Sequence, residues 1–397
     1  MADTKFLVWL DILGFDGLTK KIAEETGMEA RKVREDFIET INERVASIEH
    51  KKEIIGKNYG ERDDWILITE NLDLAFKVTS DILDHNTQYR HHERIPLEIA
   101  VGTGRYDRWG SLDDKGLIVE DSTVDFLKTR IISYYHEWYK KNNPKKFLDS
   151  TFVVLTDSAY SELNKLDRMS CRKIEFKHKE SEGKEKIASF FDIDVDAVRQ
   201  RGRIFEFLEK IGRPYSKLFD RIDSLYVPPT EYWKIRRSLR FNKIIFITGT
   251  PEYGKTYTAV RLLWEYFCLG YEPLWMAGGE LQERLNLRKS LEEIESQLTK
   301  YSKQIIYFED PFGKTRYETR DVLEREIGTI IESICKSRDT YVIITSREEI
   351  FKEFEKELLS SVDVRRFEKT LNIRKPSYGC LKRRSLLMKW ASYRDCR

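Results

Sequence analysis

From Phe6 onward the chain alternates short apolar runs with longer amphipathic stretches, and the runs stop at polar or glycine residues. FLVWLDI reads as a strand, because a short apolar run bounded by turn formers suits a buried pleated surface. From Asp16 to about His50 the apolar spacing predicts one or two helices. KEIIGK and DWILIT flank NYGERDD as a hairpin, and a helix follows from Leu72 to about Tyr89. PLEIAVGTG, STFVVLT and IASFFDIDV are further strands. Residues 199–230 read as a connecting helix and an extended lead-in, broken by Pro214, Pro228 and Pro229. Beyond them come IIFITG, a helix, EPLWMAG and a helical stretch carrying Leu281, Leu285, Leu291, Ile294 and Leu298. QIIYFED, a helix over 321–336 and TYVIITSRE complete the series. Such strand–helix alternation predicts a parallel sheet covered by helices. The expected fold class is α/β: an α+β sandwich over 1–198, a linker over 199–230 and a parallel-sheet α/β domain over 231–397.

The most informative stretch is IIFITGTPEYGKT, a buried-type strand running into Gly-x-x-x-x-Gly-Lys-Thr and then an amphipathic helix. This is a P-loop in the context its physics requires. Gly249 and Gly254 let the backbone curl, so that the N–H groups of Thr250, Pro251's neighbours, Glu252, Tyr253 and Gly254 surround a phosphate. Lys255 reaches the terminal phosphates, Thr256 offers its hydroxyl to Mg²⁺, and the helix presents its positive end. ATP with Mg²⁺ is the expected ligand. QIIYFEDPF ends in Glu309 and Asp310, at the strand end where a P-loop enzyme needs one acid for Mg²⁺ and one for the attacking water. TYVIITSRE ends in Ser346 and Arg347. Arg347 there could contact the γ-phosphate, while Ser346 with Glu349 three residues on equally suits a helix cap.

Composition narrows the classes. The 397 residues suit two domains or three small ones, and the formal net charge of +2 gives no global basic field, so nucleic acid is not expected. The charged fraction of 35% is above the roughly 25% usual for soluble domains, as surface ion pairs would require. Five scattered cysteines imply neither a zinc site nor a disulfide framework. No apolar run approaches the roughly 20 residues that span a bilayer, and the N-terminus lacks signal-peptide features, so a cytoplasmic protein without membrane contact is expected. His91, His92 and Glu93 read as a solvated turn, and YYHEWYKKNNPKKF (134–147) as a helix burying Tyr135, Trp138 and Tyr139.

YVPPTEYW, GTPEYGKT, IIYFEDPFG and YVIITSRE together resemble the STAND class of AAA-like P-loop NTPases, nearest the novel STAND group, over about residues 205–397. The resemblance implies an ATP-hydrolysing signalling switch that self-associates, with or without a further protein partner, and whose lead-in near Tyr226–Pro229 touches the base. The family's acid strand usually reads Asp-Asp, so Glu309 is a departure. The tail is short: either the lid is minimal, with KPSYGCLKRRSLLMKWASYR its first helix, or the chain is truncated. WLDILGFDGL and NYGERDDWILIT resemble class III nucleotidyl cyclases over residues 4–195, which implies a ferredoxin- or palm-type sandwich. That resemblance makes Asp11 and Asp63 ligands of Mg²⁺ or Mn²⁺. It fails on the late helix, where Asp125 replaces an asparagine and Arg130 is out of register. Three readings stay open: an ATPase switch with a cyclase-like module, an active cyclase under P-loop control, and a non-catalytic scaffold.

Overall fold

In a computed structural model of the protein the described residues are 4–12, 14–49, 56–59, 64–85, 96–108, 117–119, 151–163, 165–179, 185–212, 219–223, 225–277, 303–313, 331, 334–335, 337, 339–357, 363–371 and 378–394. They divide into two compact units, Met1–Phe205 and Glu206–Asp395.

The first unit opens with β1 (Thr4–Ile12), α1 (Phe15–Thr26), α2 (Ala30–Glu49), β2 (Gly56–Tyr59), β3 (Asp64–Thr69), α3 (Leu72–His85) and β4 (Leu97–Arg108). The order β2-β3-β1-β4, antiparallel throughout, is the split βαβ arrangement of a ferredoxin-like core. The palm-type sandwich read from the chain is therefore present. Val8 and Leu10 of β1 meet Phe37, Ile41 and Val45 of α2 and Phe76 of α3 in one buried cluster, so the three helices cover a single face. The helical stretch after Asp16 is two helices because Gly27 adopts φ 70° and closes α1 onto the Ala23 carbonyl.

The sheet then extends through β6 (Phe152–Thr156), β8 (Glu185–Ile193) and β7 (Cys171–Lys179), with β5 (Leu117–Val119) pairing the far end of β4. The β4–β6 pair is parallel, so the sheet is mixed. Two short helices, α4 (Asp157–Ser161) and α5 (Lys165–Arg168), lie between β6 and β7. The unit boundary falls within α6 (Val195–Ile211). The histidine pair 91–92 and the 134–147 stretch lie outside the described residues, as do Asp125 and Arg130.

The second unit contains α7 (Tyr232–Asn242), β9 (Ile244–Gly249), α8 (Lys255–Cys268), β10 (Glu272–Ala277), β11 (Gln304–Glu309), β12 (Thr340–Ser346), α9 (Glu348–Glu357), β13 (Glu368–Leu371) and α10 (Cys380–Arg394). Its five strands are all parallel, in the order β10-β11-β12-β9-β13. Alternate side chains serve the two faces, as strand geometry dictates. Ile244, Phe246, Ile306, Phe308, Val342 and Ile344 pack with Phe351 and Phe354 of α9. Their neighbours, among them Ile245, Ile247 and Tyr307, point to the α8 side. The lead-in before α7 is buried at Phe219, Ile222, Leu225 and Val227. The helical stretch around Leu281–Leu298 lies outside the described residues, and of 321–336 only 331 and 334–335 are described, all helical. No described helix is long and apolar enough to cross a membrane.

Candidate functional site

All six residues of β9 are buried, and the strand delivers its chain to the loop at Gly249. Only glycine fits there: φ is 148°, and a Cβ would stand 2.4 Å from the Leu371 carbonyl oxygen of β13. The loop closes at Gly254, left-handed with φ 77°, and α8 begins at Lys255. A glycine N-cap offers no side-chain oxygen, so the first N–H groups of α8 stay available to an anion inside the loop. Lys255 turns inward. Its Nζ donates to the carbonyls of Gly249 at 3.0 Å and Thr250 at 2.9 Å, and the residue is 9% exposed. Burial pushes its pKa below the ordinary lysine value; Asp310 pulls it back up and Arg347 pushes it further down.

That electrostatic triangle follows from the strand order. Because β12 lies between β9 and β11, its carboxyl end is flanked by the P-loop on one side and the acid strand on the other. Ser346 pairs in register with Thr248, and Thr345 with Glu309. Asp310 leaves β11 with φ 44°, a left-handed conformation that aspartate tolerates better than most residues. Its N–H donates to Thr345 Oγ1 at 3.3 Å, and Thr345 Oγ1 is 3.1 Å from the Tyr307 hydroxyl. The Tyr307 hydroxyl also lies within electrostatic reach of Thr256, Glu309 and Asp310. The P-loop threonine, both acids, Lys255 and Arg347 therefore gather at one end of the sheet. Oxygen donors of this kind suit a hard cation that shares its shell with phosphate and water. Ser346, offered on sequence as a helix cap, is buried, and its Oγ donates to the Arg347 carbonyl at 3.2 Å.

Beside Gly254 opens a cavity of about 350 Å³ lined by Tyr226, Tyr253, Tyr257, Tyr378, Arg383 and Trp390, among others. Its aromatic walls suit a planar ring. The lead-in wall is pinned to α8: Arg261 donates to the carbonyls of Ile222 and Asp223, and Tyr226 bonds Thr258 at 3.1 Å. Glu265 accepts from the Tyr232 hydroxyl at 2.8 Å and pairs with Arg236. The opposite wall is α10, whose Trp390 meets Tyr257 edge-on at 6.2 Å. Lys382 of α10 donates to the Pro228 carbonyl at 2.9 Å. Burial pushes the Tyr378 phenol up to about 12.

Residues 226–391 match the family Novel STAND NTPase 3. The STAND match starts at the cavity wall, takes in the P-loop, both acids and Arg347, and ends one residue after Trp390. It lies entirely in the second unit. The contribution of Tyr307, Thr345, Tyr378 and Trp390 to this site escaped sequence reasoning. Their patterns, an aromatic inside a strand and a basic–aromatic tail, read equally well as ordinary packing.

In the first unit Asp11 lies at the end of β1, half-buried, with Oδ1 accepting from the Ile12 N–H at 2.8 Å. Asp63, its expected partner, lies outside the described residues. In register, Asp64 pairs opposite Asp11 on one side and Glu98, 2% exposed, on the other. Asp11 and Glu98 share the sheet face away from α1–α3. No curated protein matches the chain. Among solved structures, monomeric adenylate cyclases from Trypanosoma brucei are 11% identical, with 49% of this chain and 90% of theirs covered, at a TM-score of 0.32. The DnaC helicase loader is 20% identical, with 38% and 94% covered, at 0.29. A bacterial light-regulated adenylyl cyclase is 13% identical, with 51% and 58% covered, at 0.30.

Proposed function

We propose that the second unit is an ATP-binding and ATP-hydrolysing switch of STAND type, whose nucleotide state governs self-association, and that the first unit is its cyclase-like sensor or effector. The observation that carries this reading is the convergence on one sheet end of Lys255, Thr256, Glu309, Asp310 and Arg347, beside an aromatic cavity.

In this reading the triphosphate lies in the loop from Gly249 to Thr256, and Lys255 exchanges its two loop carbonyls for phosphate oxygens. Thr256 and Glu309 hold Mg²⁺, which when bound neutralises charge developing on the β- and γ-phosphates. Asp310 orients the attacking water and takes its proton as the water oxygen bonds to the γ-phosphorus and the bridging oxygen leaves with ADP. Arg347 stabilises the γ-phosphate and reports its loss. The base occupies the cavity between the Tyr226 wall and α10. Lys255→Ala abolishes ATP binding, measured by equilibrium dialysis; undiminished binding in that variant sinks the reading.

A second reading rests on the ferredoxin-like strand order, which sets Asp11 at the end of β1. Asp11 and Asp63 would then hold the divalent cation that a nucleotidyl cyclase requires. The full-length chain, incubated with ATP or GTP and Mn²⁺, then yields a cyclic nucleotide by chromatography, and Asp11→Ala removes it. An oligomeric preparation that makes none excludes this activity.

A further inference from the structure

Helix α7 has two unlike faces. Tyr232, Ile235 and Leu239 are buried, so the apolar stripe that holds the helix on the domain is already used. The opposite face, at helical spacing, carries Trp233, Lys234, Arg236, Arg237, Arg240 and Phe241, all exposed, and no acid. Trp233 is 67% exposed and Phe241 72%, and each has a guanidinium over its ring: Arg236 at 5.3 Å and Arg237 at 5.7 Å. Arg236 is also paired with Glu265 at 2.9 Å. Among the described residues no carboxylate pairs with Lys234, Arg237 or Arg240. A single exposed aromatic needs no explanation, but two of them interleaved with cations on one helix face form a composed surface.

We propose that this face of α7 binds single-stranded nucleic acid, with Trp233 and Phe241 stacking on bases and Lys234, Arg237 and Arg240 contacting phosphates. The proposal does not depend on the nucleotide-switch reading. The net charge of +2 describes the whole chain, whereas attraction to a phosphate backbone depends on local density, and α7 gathers its cations on one side. Single strands fit better than duplex, because paired bases already stack on one another and offer no ring face to an aromatic side chain. A membrane surface fits less well: a helix lying in a bilayer segregates its apolar residues from its cations, whereas here they alternate and the apolar face is buried. The two rings are eight residues apart, about 12 Å of helix rise. Three or four nucleotides span that length at ~3.4 Å each.

The test is fluorescence anisotropy of the full-length protein with labelled oligodeoxythymidine and, in a parallel arm, oligouridine, across a salt titration; binding of either supports the proposal and the arms tell DNA from RNA. Three phosphate contacts predict a slope of log affinity against log salt of about −2. Arg240→Gln weakens binding and makes that slope shallower by about 0.7. Trp233→Ala and Phe241→Ala each weaken binding about tenfold or more with the slope unchanged, because stacking releases no counterions. All three side chains are exposed, and should an aromatic variant fail to fold, the slope in Arg240→Gln decides alone. An unaltered slope in Arg240→Gln overturns the proposal, as does undiminished affinity in the Trp233→Ala/Phe241→Ala pair. Duplex bound as tightly as single strands overturns it too. So does binding to phosphatidylserine vesicles but to neither oligonucleotide, which would assign the face to a membrane.

Discussion

Replacing Gly249 with alanine strikes the junction of β9 and the P-loop, where two separate costs add. The first is conformational. At φ 148° a residue with a Cβ is strained, by about 1–3 kcal/mol for such sparsely populated regions. The second is steric. The new Cβ would stand 2.4 Å from the Leu371 carbonyl oxygen, whereas carbon–oxygen contacts settle near about 3.3 Å. Backbone must therefore move by most of an ångström, at an overpacking cost of about 1–3 kcal/mol. Relief comes most easily from β13, a four-residue strand that among the described residues is at the sheet edge and pairs with β9. Gly254→Ala is the internal control. Its φ of 77° is strained too, but its Cβ would meet only the Tyr378 hydroxyl, at an ordinary 3.5 Å. It should cost about 1–2 kcal/mol from backbone handedness alone. Native-state hydrogen exchange by mass spectrometry, on peptides covering 244–249 and 368–371, reads both effects. Gly249→Ala lowers protection of β9 by about 2–6 kcal/mol and strips it from β13. Gly254→Ala leaves β13 protected. Equal losses in the two variants, or a Gly249→Ala loss under about 0.5 kcal/mol, would refute the steric reasoning.

Three further outcomes follow from the same geometry. Asp310→Asn keeps the left-handed turn, which asparagine accepts, so nucleotide binding persists while single-turnover phosphate release slows by about 10²-fold or more; near-wild-type release removes Asp310 from catalysis. For Lys255 the folded pKa lies below the ordinary 10.5 because burial outweighs the attraction of Asp310. The unfolded chain then holds more protons between that lowered value and 10.5, so ligand-free stability relative to Lys255→Met rises with pH across that alkaline window and is flat below it; a flat difference up to pH 10.5 contradicts the burial argument. Cys171, its thiol pushed up to about 12 by burial and then by Asp167 and Asp192, reacts with Ellman's reagent at pH 8 far more slowly than exposed Cys268, Cys335 and Cys380, and comparable rates would show that its burial is not sustained.

Where a segment's own apolar pattern decides its state, the chain was legible in advance. β9, β11 and β12 are short runs buried on both faces, and the loop between β9 and α8 announces itself by its glycines and lysine. β13 was not legible. EKTL has neither alternation nor length, and it becomes a strand because β9 needs a partner and because Thr248 donates to Glu368 at 2.7 Å with the Thr370 hydroxyl 3.0 Å away. β7 failed for the opposite reason: CRKIEFKHK does alternate, but its charged positions hid the signal. In the first unit the expected ligand Asp63 lies outside the described residues, and strand register sets its neighbour Asp64 opposite Asp11. Cavity residues such as Tyr226 and Trp390 meet only after folding, and no local pattern encodes that distance.

The hydrogen bonds of β13 also explain why the loop and the cavity should respond together. Thr248, the last residue before Gly249, is fastened to β13 through Glu368 and Thr370, and the Leu371 carbonyl fills the space a Gly249 side chain would need. Any change in the loop is thus felt at β13. The chain runs on from β13 to Tyr378 and α10, whose Arg383 and Trp390 line the cavity while Lys382 grips the Pro228 carbonyl on its far wall. In the ligand-free loop Lys255 is a buried cation satisfied only by two carbonyls, an arrangement that burial disfavours and a phosphate would relieve. Phosphate entry would therefore release the Gly249 and Thr250 carbonyls at the very point where β13 is attached. The C-terminal segment, through β13 at the loop and α10 at the cavity, touches both ends of the nucleotide the site would hold.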